Sequence, residues 1–296
     1  MSRVEPEVCI VLVNYNNHKD TVECVKSLLN IDYSNYKIVL VDNASTDSDS
    51  IKNDEFLKKN TILLENRENN GFSAGNNIGI KYAKKQFQAD YYLLLNNDTV
   101  VDKQFLNKLV NCAKKNNDNA VIGGKIYYYY EDNMLWYAGG SYNTDSGFAA
   151  HFGYKKIDDG SYNKDISVSF ITGCLMLIPT KIINKVGLLD ESYFLYSEDT
   201  DYCCRVKEAG FDLIYCADSV IYHKVSAAVG DNSPMQQYYM LRNDLYLISR
   251  YGTSKFIAYL KRLNNTRIQI QTGRMNFKSV VKAYVDFICR YRGKKE

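Results

Sequence analysis

The chain has 296 residues, of which 46% are hydrophobic and 24% are charged, and these proportions exclude intrinsically disordered and fibrous proteins. A formal net charge of +3 gives no overall reason to expect binding to nucleic acid. The length suits one large domain with an extension, and 3 prolines and 17 glycines argue against a Pro/Gly-rich linker between separate domains.

The cysteines and the apolar runs indicate the cellular compartment of the protein. None of the eight cysteines forms a C-x-x-C pair and most lie in apolar stretches, which is typical of buried, reduced thiols in a cytosolic protein. The longest uncharged apolar runs are shorter than ten residues, whereas a hydrocarbon core is about 30 Å thick. No charged region precedes an apolar one at the start. We therefore expect neither a membrane span nor a signal peptide.

The first third of the chain alternates between strand and helix patterns. Continuous apolar runs at residues 8–13, 37–41 and 91–95 are typical of strands buried on both faces. Between them, residues 20–29 and 74–84 carry apolar side chains at helical spacing. The alternation predicts a parallel sheet with helices on its faces.

Each predicted strand ends in a cluster of polar residues. These clusters are residues 14–17 (NYNN), 42–45 (DNAS) and 96–99 (NNDT). Ligands of such sheets bind outside the carboxyl ends of the strands. We therefore expect all three clusters to line one rim of the sheet.

The remaining two thirds of the chain contain less regular patterns. Residues 123–169 are rich in aromatic residues and glycine and lack a helical period, which predicts short strands and a long loop over the site. Beyond them the sequence predicts an apolar stretch, two short strands and five helices. These are, in turn, residues 171–178; residues 213–216 and 220–222; and residues 181–186, 203–209, 235–250, 253–263 and 278–291.

Two features are candidates for a metal site. In Asn96-x-Asp98, directly after a buried strand, the carboxylate can share a divalent metal with a diphosphate; the alternative is a polar turn that caps the next helix. His223, at the end of predicted strand 220–222, could complete such a site, although a lone histidine is more often structural.

An acidic segment and a glycine-containing loop are the other candidates. Residues 197–201 (SEDTD) follow an aromatic stretch, where crowding can raise the pKa of one carboxyl group toward that of a general base. Alternatively, Ser197 caps a helix whose dipole the acids complement, and both interpretations can hold together. The loop at residues 69–79 opens a helix and could hold an anion, but it matches neither the Walker pattern nor G-x-G-x-x-G.

Taken in order, six segments resemble the glycosyltransferase family 2 enzymes, particularly the rhamnosyltransferase-like branch that builds bacterial surface polysaccharides. The resemblance covers roughly residues 7–250, and its segments, followed by His223, are IVLVNYNN, IVLVDNASTD, NNGFSAGNNIGI, YYLLLNNDTVVD, GCLMLIP and GLLDESYFLYSEDTDYCCRVKEAGF. It implies an α/β GT-A fold, in which a Rossmann-like, mostly parallel central sheet is flanked by helices. We expect a catalytic domain at residues 1–234 and a basic helical extension at residues 235–296.

The resemblance also implies an inverting transfer from a UDP- or dTDP-sugar to a glycan or a lipid-linked glycan, with Mn or Mg as cofactor. Asp199 resembles the general base, Glu198 would place the acceptor, and Asp98 and His223 would hold the metal. Residues implied in binding the nucleotide sugar are Val13, Asn14, Tyr15, Asp42, Asn70, Gly71, Asn77, Asn96, Asn97 and Asp98.

One departure from the family pattern leaves alternatives open. Asn96 stands where the family has the first acid of D-x-D, and its neutral amide predicts weaker metal affinity, so activity without metal stays open. A non-catalytic nucleotide-sugar or carbohydrate-binding protein of the same fold is the main alternative. A sugar nucleotidyltransferase would need a Gly-rich, basic loop after the first strand, whereas residues 14–17 provide neither feature.

Charge is distributed unevenly along the chain. Residues 235–296 contain 13 Lys or Arg and three acidic residues, whereas residues 1–234 contain 24 basic and 31 acidic ones. A basic amphipathic helix can lie on an anionic membrane, which suits a lipid-linked acceptor. The alternative is an extension packed on the body with solvated cations. The expected location is the cytoplasm, with the inner face of the cell membrane as a candidate.

Overall fold

A mixed sheet of ten strands forms the centre of the protein, and a separate two-stranded sheet lies beside it. The computed structural model describes residues 5–46, 48–225 and 233–295. The strands are β1 (Val8–Asn14), β2 (Tyr36–Asp42), β3 (Ile62–Glu65), β4 (Tyr91–Asn96), β5 (Thr99–Val101), β6 (Ala120–Tyr128), β7 (Leu135–Tyr137), β8 (Gly140–Asn143), β9 (Phe148–His151), β10 (Ile166–Ser167), β11 (Leu175–Pro179) and β12 (Asp212–His223).

Helices follow most of the strands of the first half and make up the C-terminal part. They are α1 (His18–Leu28), α2 (Ser48–Lys52), α3 (Glu55–Asn60), α4 (Gly71–Gln86), α5 (Phe105–Lys115), α6 (Thr180–Val186), α7 (Glu198–Glu208), α8 (Pro234–Tyr251), α9 (Lys255–Gln271) and α10 (Phe277–Ile288). None of the helices in the described ranges is long and apolar enough to cross a bilayer.

The N-terminal half of the sheet is parallel, as its buried apolar runs predict. Strands β3, β2, β1 and β4 lie side by side in that order, and all three pairings are parallel. Asn14 at the end of β1 lies opposite Asp42 of β2, and Val13 lies opposite Asn96 of β4. Because the strands end at the same level, the three polar clusters share one rim, and this prediction is confirmed.

The other half of the sheet is mixed, in contrast to the mostly parallel arrangement that the sequence predicts. Strand β11 runs antiparallel to both of its neighbours, β4 and β6, while β12 runs parallel to β6. The two short strands predicted after α7 are one strand, β12, whose register shifts between Cys216 and Val220. This irregularity interrupts the apolar pattern, so the sequence alone suggests two strands.

The C-terminal extension shares a hydrophobic core with the rest of the protein. Tyr246 and Leu247 of α8 belong to the same buried cluster as the central strands, and Tyr251 packs against it. Helix α10 in turn packs on α8, whereas α9 makes fewer contacts with it. The charge composition of the chain changes at the predicted boundary, residue 234. The hydrophobic core, in contrast, continues across it.

Candidate active site

Polar side chains at the ends of β1 and β2 are joined by a buried hydrogen-bond network. The amide of Asn14 donates from Nδ2 to Oδ1 of Asp42 at 2.9 Å and to the hydroxyl of Ser45 at 3.0 Å. The Ser45 hydroxyl donates to the same Asp42 oxygen at 2.5 Å. Because all three side chains are buried, the Asp42 carboxylate is held rigidly at the rim by neutral donors.

The end of β4 is tied to the same network. The amide of Asn97 donates to Oδ1 of Asn14 at 3.2 Å and to the hydroxyl of Thr21 at 2.8 Å. The structure thus brings Asn14, Asn97 and Asp42 together, as the sequence predicts, with the two amides engaged by the protein itself. Next to them, Val13 is half-buried and the ring of Tyr15 is 39% exposed. The rim therefore offers one open aromatic surface beside a fixed carboxylate.

The loop before α4 passes very close to the segment that precedes the acidic pair. Gly71 has a φ of +88°, and a Cβ placed there would lie 1.9 Å from the carbonyl oxygen of Phe194. The neighbouring Phe72 N–H donates to that same oxygen at 3.0 Å. Gly71 therefore serves a close approach of two backbones. Asn70, the residue before the helix, is exposed at the surface.

Asn77 lies in a different environment from the one that the sequence predicts. Its amide donates to the carbonyl of Leu189 and to Glu191, both at 2.9 Å, and its oxygen accepts the Leu189 N–H at 3.1 Å. Gly75 of the same helix faces Val13 of β1, but Asn77 lies two residues farther along and faces another direction. These contacts give Asn77 a structural role and leave its amide no free donor for a nucleotide.

Asp98 and His223 are brought together by the pairing of β5 with β12. Thr99 lies opposite His223 in this antiparallel pair, and Nε2 of His223 lies 3.1 Å from Oδ1 of Asp98. The thiol of Cys174 is the other close neighbour of the imidazole, and Trp136 packs edge-on against it at 4.6 Å. Burial disfavours the charged ring, but Cys174 and Asp98 outweigh this and raise the pKa of His223.

This pair suits a divalent cation by its donor chemistry. Asp98 and His223 are both more than nine-tenths buried, and they present one carboxylate oxygen and one imidazole nitrogen to each other. Oxygen and nitrogen donors of this kind bind Mn and related metals, which take further oxygens from phosphate and water. Asn96, the last residue of β4, carries a neutral amide where the family pattern has a second carboxylate.

Glu198 and Asp199 form the first turn of α7. Asp199 accepts the Gly173 N–H at 3.0 Å on one oxygen and the Thr200 N–H at 2.7 Å on the other. Oε2 of Glu198 has no hydrogen-bond partner within the described part of the chain. Burial raises the pKa of both carboxyl groups, and the adjacent charge of Asp199 raises that of Glu198 further. Each of these desolvated acids therefore holds a proton more tightly than an exposed carboxyl group does.

The other polar residues of the acidic segment have structural partners. Ser197 is the residue directly before α7, as predicted. Its hydroxyl, however, donates to Asp244 at 3.1 Å and does not cap the helix. Asp201 is completely buried and accepts hydrogen bonds from Arg250 at 2.9 Å and Tyr251 at 2.8 Å. Of the three acids in this segment, Asp201 therefore anchors α8, which leaves Glu198 and Asp199 for chemistry.

Two consecutive residues before β11 connect the acidic pair to the rim. The Gly173 N–H holds the carboxylate of Asp199. The carbonyl of Cys174 accepts the N–H of Asn96 at 3.0 Å, and its thiol contacts His223. The dipeptide Gly173-Cys174 thus connects the acidic pair, which its first residue contacts, to the candidate metal ligands, which lie next to its second residue.

Sequence reasoning assigned no role to several residues that form the site. Gly173 and Cys174 lie in a segment that carries the family resemblance, but only the fold shows what they contact. Trp136 is the single tryptophan of the chain, and this alone could have marked it as a candidate site residue in the sequence. His151 packs against Trp136 at 4.6 Å, and burial lowers its pKa to about 4, so this aromatic wall is uncharged at neutral pH.

Comparisons with known proteins show which family and which relatives this chain is similar to. The model of the family described as "Glycosyl transferase family 2" matches residues 9–187. The low-salt glycan biosynthesis hexosyltransferase Agl10 of Haloferax volcanii is 24% identical over 212 residues, which are 71% of this chain and 64% of Agl10. The rhamnosyltransferase WbbL of Escherichia coli is 26% identical over 233 residues, covering 76% of this chain and 85% of WbbL.

Solved structures show the same fold. GalNAc-T7, solved with UDP, GalNAc and Mn²⁺, superposes with a TM-score of 0.67 at 15% identity, over 98% of this chain and 59% of that one. Residues 1–349 of TarS from S. aureus give a TM-score of 0.59 at 15% identity, over 96% and 81% of the two chains. The predicted GT-A fold is therefore confirmed.

We predict that Gly71→Ala destabilises the protein more than Gly187→Ala does. The two glycines have nearly the same backbone, with φ values of +88° and +89°, but nothing lies within 4 Å of a Cβ at Gly187. Left-handed strain alone should cost about 1 kcal/mol, whereas strain and overlap with Phe194 should together cost about 3 kcal/mol or more. Denaturant unfolding measures the free energy of unfolding of both variants. Equal losses of stability would contradict the close approach of Gly71 to the Phe194 backbone.

Proposed function

Because the chain belongs to glycosyl transferase family 2, we propose that it transfers a sugar from a nucleoside diphosphate donor to a hydroxyl group of an acceptor, with inversion at the anomeric carbon. The observation that carries the proposal is that the dipeptide Gly173-Cys174 contacts both groups of side chains. Gly173 bonds Asp199 of the buried acidic pair, and Cys174 lies beside His223 of the Asp98–His223 pair. Inverting displacement needs a base on one side of the sugar and stabilisation of the leaving group on the other.

The proposed nucleotide site is the rim at the ends of β1 and β2. Tyr15 offers an exposed ring against which a base can stack, and the buried Asp42 carboxylate can accept from a base or ribose donor. Val13, two residues before Tyr15, lies opposite Val41 of β2 and Asn96 of β4. Asn70, which is exposed just before α4, and Gly71 at the start of that helix would complete the pocket.

Asp98 and His223 would hold a divalent cation, with Mn as the first candidate and Mg as the second. A cation at this place supplies positive charge that neutralises a departing diphosphate. The structure of GalNAc-T7 contains Mn²⁺ together with UDP, which supports the choice of metal. Asn96 contributes no charge, so we expect the diphosphate itself to supply an important share of the affinity.

Asp199 is the proposed general base. The acceptor oxygen forms a bond to the anomeric carbon while the bond from that carbon to the diphosphate breaks, and the diphosphate leaves with the electron pair. The acceptor proton passes to Asp199, whose burial raises its pKa and makes it a stronger base than an exposed aspartate. Glu198 lies beside it and would orient the acceptor hydroxyl.

The proposed acceptor is a glycan or a lipid-linked glycan in surface polysaccharide synthesis. Agl10 is named for glycan biosynthesis and WbbL is named as a rhamnosyltransferase, which supports this class. The proposed donor is a UDP- or dTDP-sugar, and the structure of GalNAc-T7 with UDP supports the first of these. The chain spans only 64% of Agl10, so the comparison concerns the shared region. Within that region, residues 123–169 include the aromatic wall next to His223 and would face the sugar or the acceptor.

Peripheral contact with an anionic membrane is part of the proposal. Helices α9 and α10 expose an apolar face around a groove of about 330 Å³. The exposed large apolar side chains of these two helices are Phe256, Ile257, Leu260, Leu263, Ile268, Phe277, Val281, Val285 and Ile288. A lipid-linked acceptor would be presented at such a surface, at the inner face of the cell membrane.

The charges around this apolar face favour lipid over a second copy of the chain. Residues 255–295 are all described, and their one acidic side chain, Asp286, is buried and paired with Lys295. Exposed cations on the same helices include Lys261, Arg267 and Lys282. A second copy would bring like charges together, whereas each cation near an anionic membrane contributes roughly 1 kcal/mol.

We predict that Asp199→Asn lowers kcat at least about 100-fold, because the amide cannot accept the acceptor proton. Donor affinity, measured by calorimetry, should change less than about twofold, since only the transition state uses the base. Glu191→Gln is the control: this exposed acid bonds Asn77 and Lys81 and should retain turnover. Full turnover of Asp199→Asn would remove this residue from the base role.

We predict that Asp98→Asn abolishes the effect of Mn²⁺ on donor binding. In the unaltered protein, Mn²⁺ should raise the melting temperature measured with UDP- or dTDP-sugar, because a ligand that binds only the native state stabilises it. Asp102→Asn replaces a nearby carboxylate that is exposed and should leave the Mn²⁺ effect intact. An equal Mn²⁺ effect in both variants would contradict the proposed metal site.

We predict that the protein co-sediments with phosphatidylglycerol vesicles at low salt and is released at high salt, where screening weakens the attraction. Ile288→Glu should reduce binding at least about tenfold, because it places a charge on the apolar face. Ile157→Glu is the control, since Ile157 is 60% exposed on the catalytic body. Absence of binding at low salt would refute the membrane contact.

A further inference from the structure

The loop before the acidic pair has an unusual backbone. Tyr196 and Ser197 are consecutive residues with φ values of 67° and 70°, a conformation that residues other than glycine rarely adopt. Strained backbone of this kind persists where surrounding contacts hold it in place. These two residues lead directly into Glu198 and Asp199, so whatever holds them also determines where the acidic pair lies.

Asn243 of α8 provides that contact. Its side-chain amide donates to the carbonyl of Leu195 and to the carbonyl of Tyr196, both at 2.8 Å. The next residue of the helix, Asp244, accepts the hydroxyl of Ser197 at 3.1 Å. Asn243 is buried, so loss of its donors would leave two loop carbonyls without these partners.

Arg242 determines which way the Asn243 amide points. This arginine is fully buried, and it donates through Nε and Nη2 to Oδ1 of Asn243, both at 3.1 Å. Its third nitrogen donates to the carbonyl of Gly293 at 3.0 Å and to the hydroxyl of Tyr238 at 3.2 Å. With its oxygen held by a guanidinium, the amide must present its Nδ2 donors to the loop.

We propose that Asn243, oriented by Arg242, is a positioning residue that holds the loop at residues 195–197 so that Asp199 meets the acceptor hydroxyl. The inference rests on the proposed function, because it takes Asp199 as the base. It assigns to the C-terminal helices a direct part in turnover. Neither residue touches substrate or the reacting atoms; both act through the loop backbone.

Asn243→Asp tests the proposal with almost no change of shape. Arg242 can pair with the new carboxylate, so the helix should still fold, but two carboxylate oxygens would now repel or fail to bond the loop carbonyls. We expect kcat to fall at least about tenfold with donor affinity changed less than about twofold. The acidic limb of the kcat profile should move to lower pH, because a loosened loop exposes the acidic pair to water and lowers its pKa.

Gln237→Glu is the matched control. It makes the same amide-to-acid change on the same helix, but Gln237 contacts the turn between α9 and α10, where it accepts the Asn276 N–H at 2.7 Å. It should retain kcat and the pH profile. If Asn243→Asp does not fold, as judged by thermal melting, Asn243→Ala replaces it in every measurement.

Hydrogen exchange of residues 195–200 gives a readout that does not depend on activity. Exchange should accelerate in the Asn243 variant and stay unchanged in the Gln237 variant. Unchanged exchange would overturn the proposal, and so would faster exchange with unchanged kcat. If the unaltered protein transfers no sugar from any UDP- or dTDP-donor, the proposed function fails on its own. Exchange would then still report whether Asn243 holds the loop.

Discussion

The site depends on two consecutive peptide groups, those of Gly173 and Cys174, at the entry of an antiparallel strand. One donates its N–H to the Asp199 carboxylate, and the other accepts the backbone N–H at the end of β4. Such backbone contacts are short and directional, so they tie the first turn of α7 and the end of β4 to the same short segment of chain. The reversed direction of β11 is what makes them possible, because a strand that starts at the rim presents its first residues there.

The same rim holds acidic side chains in two contrasting environments. Asp98 faces an imidazole and is suited to sharing a cation. Burial raises the pKa of both Glu198 and Asp199, and the charge of Asp199 raises that of Glu198 further. A carboxylate beside an imidazole can share a positive charge, whereas a carboxyl group whose burial raises its pKa can accept a proton. This division of labour suits a displacement in which charge departs on one side of a sugar and a proton is lost on the other.

The C-terminal helices present different chemistry on their two sides. Toward the body, α8 contributes buried polar contacts, among them Asp201 with Arg250 and Asn243 with the loop carbonyls. Toward the outside, α9 and α10 expose apolar side chains and cations. Asp244 lies where the two sides meet, since it bonds Ser197 of the loop and Arg262 of α9. The extension thus joins a candidate membrane surface to the loop at residues 195–197 through one short chain of contacts.

The sequence by itself determined the elements whose reasons are local. Uninterrupted apolar runs specify β1, β2 and β4, because only strands buried on both faces need them, and the polar residues that end these runs had to meet at one rim. The positions of Asp98, Asp199 and His223 followed from the order of the family's segments. Only the tertiary structure decided contacts between distant segments. Asn77 bonds Leu189 across 112 residues, and Asn243 bonds the loop across 48. An asparagine looks the same in sequence whether it faces a nucleotide or a backbone carbonyl, because its partner is chosen by packing and not by its neighbours in the chain.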